Sequence, residues 1–75
     1  MNNRVREVRL SLGMSLTELA RRANLSRVAV TNIENGNGNP TVKSIILICE
    51  VLKQNPSEIF FTDFVIHELQ KEGGK

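Results

Sequence analysis

Arg27, Val28, Thr31 and Asn32 are the residues of this 75-residue chain whose types and spacing offer chemistry. On a helix turning about 100° per residue, with Val28 at zero, Thr31, Asn32 and Asn35 fall within about 60° of it. Ala29, Val30 and Ile33 fall between about 100° and 200°, so one side of this segment is apolar and the other polar. Apart from Arg27 at its flank, the polar side carries no charge. That suits hydrogen-bonding partners better than bulk water, and the edges of base pairs in the DNA major groove are such partners. There Arg27 would make a bidentate pair with guanine, Asn32 would pair with adenine, and Val28 and Thr31 would offer methyl groups to thymine.

Catalytic chemistry has no comparable set. The chain holds one cysteine and one histidine. Cys49 lies in an apolar helical run and reads as a small core residue; His67 lies on the polar side of the C-terminal tail, and the two do not form a nucleophile and base. The sequence NGNGNP at 35–40 follows a helix where a phosphate-cradling loop would follow a strand. Ligands for a metal are too few. The expectation is a non-enzyme without cofactor, metal or small-molecule substrate.

Two helices must hold the polar set in place. In SLTELARRANLSRVAVTNIEN, residues 15–35, Leu16, Leu19, Ala20 and Ala23 recur at the spacing of one helical face. After a break at Asn24-Leu25-Ser26, Ala29, Val30 and Ile33 repeat the pattern. Ser15 with Glu18 has the form of a capping box, and Ser26 is the cap of the second helix. Ala20 is the small residue that lets two helices cross close to their junction. The N-terminus of the first of these helices presents free N-H groups and a positive dipole end to a phosphate. Arg21 and Arg22 lie on its outer side and read as ordinary solvated arginines.

The stretch resembles the helix-turn-helix of the Cro and phage-repressor (Xre) family of DNA-binding regulators. The matching residues are Ser15, Glu18, Leu19, Ala20, Leu25, Ser26, Val30, Ile33 and Glu34-Asn35-Gly36, and the likeness runs from about Val5 to Phe60. It implies an all-α, compact five-helix repressor-like domain over residues 4–61, with the helix-turn-helix at 15–35. It also implies that Arg9 pairs with Glu34, tying helix 1 to the reading helix as a structural ion pair. Members commonly carry Gln after the first cap; here Leu16 stands there, which leaves that phosphate contact to the backbone and Ser15. In the family the loop after helix 3 follows the DNA backbone, so Asn35, Asn37 and Lys43 join Ser15 and Leu16 as expected phosphate contacts.

The remaining elements follow from pattern. Helix 1 is expected from about Asn3 to Leu12, with Val5, Val8 and Leu12 buried and Gly13 as its stop. Helix 4 is expected from the cap Thr41 to about Lys53, with Val42, Ile45, Ile46, Ile48, Cys49 and Leu52 as core. Helix 5 opens at Asn55-Pro56-Ser57-Glu58, and Ile59 and Phe60 close the core. Residues 62–75 form a helical extension with a frayed Gly-Gly-Lys end. Phe61, Phe64 and Val65, with Leu47 and Val51 as surplus apolar residues of helix 4, make a candidate homodimer patch; folding back onto the bundle is the alternative for the tail.

Residues 1–43 carry seven basic and three acidic side chains, and residues 44–75 three and five, within an overall net charge of +2. A basic half containing the helix-turn-helix fits one face meeting phosphates. A lone cysteine, no signal-like segment and no apolar run of about 18 residues point to a cytoplasmic, nucleoid-associated protein without a membrane span. The expected function is sequence-specific binding of double-stranded DNA as a transcriptional regulator, a repressor, acting as a homodimer on an inverted repeat. The competing function is a protein-interaction module, antitoxin-like or an anti-regulator subunit, working through its apolar C-terminal surface.

Overall fold

Ser15, Ser26 and Thr41 each stand in extended backbone just before a helix. Their hydroxyls accept from the backbone N-H groups of Glu18 at 3.0 Å, Ala29 at 3.0 Å and Ser44 at 3.1 Å. Each bond satisfies one of the donors that a helix start leaves without an intrahelical partner. The computed structural model describes residues 2–60 of the chain. Over that range the helices are α1 Val5–Ser11, α2 Leu16–Ala23, α3 Arg27–Glu34, α4 Val42–Leu52 and α5 Pro56–Ile59. Strands are absent among the described residues apart from one isolated antiparallel bridge, so the architecture is all-α. The C-terminal extension, with Phe61, Phe64, Val65 and His67, lies outside the described residues.

α2 packs against both α3 and α4, α1 lies against α3, and α5 closes on α4. Val5, Leu19, Val30, Ile45, Ile48, Leu52, Ile59 and Phe60 are fully buried, with Ala20, Ala23, Ile33 and Cys49 filling between them. Burial of a large apolar side chain contributes roughly 1.5–3 kcal/mol, so this centre holds the five short helices in one arrangement. The turn between α2 and α3 is fixed by Asn24 in left-handed backbone (φ 59°) and by the Leu25 N-H donating to the Ala20 carbonyl at 2.9 Å. Asparagine tolerates that conformation better than most residues.

Several expectations are corrected. α1 begins at Val5 because Asn3 is used otherwise. Its side-chain oxygen accepts from the Val5 N-H at 3.0 Å, its amide donates to the Ile33 carbonyl at 2.7 Å, and its backbone forms the bridge with Phe60. Leu12 was expected in the core and is 54% exposed; Met14 is buried in its place. Gly13, at φ +68°, reverses the chain after α1 and carries Met14 inward. On α4 the buried stripe is Ile45, Ile48, Cys49 and Leu52, which leaves Ile46 at 41% exposed and Val42 at the surface, against expectation. Leu47 and Val51 are half-buried, packed in part against the core with the rest of each side chain at the surface. The capping box at α2 forms only by its Ser15 half. The Glu18 carboxylate takes the Arg21 guanidinium at 2.7 Å instead of reaching back to the cap.

Candidate nucleic-acid interface

α3 is capped by Ser26 and buries Val30 and Ile33, which turns the opposite side of its first two turns outward. Arg27, Val28 and Asn32 are exposed and Thr31 is half-buried. With Leu16 from the start of α2 they line one open groove of about 440 Å³. The structure therefore gathers Arg27, Val28, Thr31 and Asn32 at one place and adds a side chain from the neighbouring helix. Val28 is 69% exposed, a large apolar group with no packing partner on its outer side.

The far end of α3 is anchored to α1. The Arg9 guanidinium donates through Nε to Glu34 Oε2 at 2.6 Å, through Nη2 to Oε1 at 3.2 Å, and through Nη1 to the Met14 carbonyl at 2.9 Å. The Glu34 side chain is 1% exposed and that of Arg9 10%, so this is a buried pair whose donors and acceptors are satisfied. A second guanidinium shares the carboxylate: Arg6 Nε lies 3.3 Å from Glu34 Oε1, and its Nη2 donates to the Asn35 side-chain oxygen at 2.9 Å. The Arg6 side chain remains 57% exposed.

Arg6 escapes sequence reasoning. Its partners are 28 and 29 residues away, and nothing in helix periodicity links them. Its position beside Asn35 places a cation next to the loop expected to follow phosphates. Asn35 meanwhile has its carbonyl oxygen occupied and keeps its amide as donor. Ser15 is exposed at the start of α2 and Lys43 at the start of α4. Asn37 is exposed too, and its backbone N-H donates to the Asn32 carbonyl at 2.9 Å, folding the loop back along α3.

Of the acidic groups near this surface, Glu18 is held below its ordinary carboxyl value, first by the hydrogen bond from Arg21. On α1, the Arg4 guanidinium does the same to Glu7. Cys49 is buried on the inner side of α4, and burial pushes its thiol up to about 11, far from a nucleophile at neutral pH. Among the described residues, no group of three or more His, Cys, Asp or Glu side chains is placed to hold a metal ion. No helix there is long and apolar enough to cross a membrane.

Known proteins share this arrangement. The family model described as helix-turn-helix matches residues 5–59, which spans all five helices. The chain belongs to the Xre-type helix-turn-helix family. Two HTH-type transcriptional regulators of Archaeoglobus fulgidus are 30% and 32% identical to it over 63 residues, covering 84% of this chain and 90% and 89% of theirs. Among solved structures, the restriction-modification controller protein C.AhdI of Aeromonas hydrophila superposes with a TM-score of 0.72 at 33% identity, covering 76% of this chain and 86% of that one. The wild-type controller protein C.Esp1396I follows at 0.62 and 31%, covering 91% and 79%. The helix-turn-helix family is one of DNA-binding transcriptional regulators, not of enzymes. In this Xre-type protein α2 and α3 form the helix-turn-helix, and the groove just described lies on its outer face.

Proposed function

We propose that this protein regulates transcription by inserting α3 into the major groove of duplex DNA, as a homodimer on an inverted repeat, and that it represses by occupying that DNA. Arg27, Val28, Thr31 and Asn32 face the bases. Ser15, the Leu16 backbone, Asn35, Asn37 and Lys43 position the phosphates, with Arg6 added to that set. One observation carries the reading: the outward side of α3 is an open groove, uncovered by any other described element, in which an arginine and an asparagine flank apolar groups. The buried Arg9 to Glu34 pair supports it from behind by holding the angle of α3.

The dimer is proposed to form through Leu47 and Val51 of α4 with Phe61, Phe64 and Val65. It would place two copies of α3 about one helical turn, roughly 10 bp, apart. Random-oligonucleotide selection followed by footprinting at two salt concentrations tests both parts. The expected outcome is an enriched inverted repeat whose affinity falls as salt rises; no enrichment removes the DNA reading. Light scattering at micromolar protein that finds only the 8.4 kDa species removes the dimer.

A second reading, an interaction module, has one observation in its favour. Leu10 on α1 and Leu12 just after it are exposed, and Leu12 borders a groove of about 370 Å³ with Met14, Val51 and Leu52. Such a module would show no salt-dependent retention on any selected duplex.

A further inference from the structure

Leu16 occupies a place where the resemblance leads one to expect a polar side chain that reaches DNA. The structure gives the substituted side chain a definite location. Leu16 is half-buried, with its inner side on the core and its outer side in the groove that Arg27, Val28, Thr31 and Asn32 also line. Leu16 from α2 and Val28 and Thr31 from α3 thus make an apolar wall, and Arg27 and Asn32 are the polar groups along it. No carboxylate lines this groove. In the major groove the one apolar group larger than a hydrogen that projects from an unmodified base pair is the 5-methyl of thymine; the corresponding position of cytosine carries only a C5–H.

We propose that Leu16, Val28 and Thr31 together form a cradle for the 5-methyl group of one thymine in each half-site, and that Leu16 is a specificity-determining residue rather than a phosphate contact through its backbone alone. The proposal rests on the reading of α3 as the base-contacting helix and goes beyond it, since it assigns a base-recognition role to a residue of the other helix. Arg27 and Asn32, bordering the same groove, would then read the neighbouring base pairs, so the thymine sits beside positions chosen by hydrogen bonding.

The test uses the duplex enriched by selection against the full chain, with each thymine replaced singly by 2′-deoxyuridine, which removes the methyl and leaves every hydrogen-bonding atom. Binding is measured by fluorescence anisotropy at one fixed salt concentration. Burying one methyl group contributes about 0.8 kcal/mol, so one replacement per half-site should weaken binding about fourfold while the others have little effect. Leu16→Ala and Val28→Ala should each reduce that fourfold penalty, the signature of a direct coupling between side chain and methyl. Val28 is exposed, so its variant keeps the fold even if Leu16→Ala does not. Selective binding with no uridine-sensitive position, or a penalty that survives undiminished in Val28→Ala, overturns the cradle and leaves the reading helix intact. Absence of any sequence-selected binding overturns both.

Discussion

Arg27 and Arg9 carry the same charge and do opposite work, and the difference lies in what surrounds each guanidinium. Arg27 is exposed at the rim of the α3 groove, available to a partner outside the protein. Arg27→Ala should therefore leave thermal stability within about 0.5 kcal/mol. On specific DNA it should cost about 1–3 kcal/mol and flatten the preference at one base pair, read by competition binding against a panel of single-base variants. Arg9 is buried with Glu34 and the Met14 carbonyl. Removing one partner of a buried pair costs about 3–5 kcal/mol. Arg9→Ala should fall toward the lower end of that range, because Arg6 still reaches the Glu34 carboxylate. A denaturant titration reads the cost directly; a change under about 1 kcal/mol would place the pair among surface ion pairs of little consequence.

At the scale of elements, the start of α2 shows how a local device can be reassigned. Ser15 caps the helix, but Glu18 turns to Arg21, and that hydrogen bond holds its carboxyl below the ordinary value. A depressed carboxyl stabilises the fold above the value it has in the unfolded chain, and that contribution is lost as pH falls through the lower folded value. Glu18→Gln should therefore flatten the acid side of the stability profile and lower the plateau above neutral pH slightly, by an amount that does not vary with pH there, as followed by thermal melts at stepped pH. The helices themselves were legible in the sequence because their signals are short-range: Ser26 caps α3, Val30 and Ile33 repeat on one face, Pro56 opens α5. What was not legible depends on contacts far apart in the chain. Leu12 and Met14 exchange places through one glycine conformation, Asn3 stops α1 by bonding to Ile33 and bridging Phe60, and Ile46 is turned out by the packing of α4 on α2. For the candidate site, the common face of Val28, Thr31 and Asn32 follows from helix arithmetic. The presence of Leu16 beside it, and of Arg6 against Glu34 and Asn35 at the other end of α3, follows only from how α2 and α1 pack, which no spacing encodes.

For the whole molecule, the uneven distribution of charge sets how binding should respond to salt. Lys43 is exposed in the first turn of α4 and does not line the α3 groove, and it is expected to meet phosphate only. Lys43→Ala should weaken binding to all sequences alike and lower the slope of log affinity against log salt by about one unit, with base preferences unchanged. The two guanidiniums that converge on Glu34 have a consequence of another kind. One carboxylate answers two cations, so it restrains how strongly this end of the protein clings to any polyanion at all. Glu34→Gln keeps the shape and removes that restraint. Its expected phenotype is a less stable protein that adheres more tightly to random DNA and discriminates its own operator less well, measurable as a fall in the ratio of specific to non-specific affinity. Selectivity in this molecule would then depend on a negative charge that never touches the double helix.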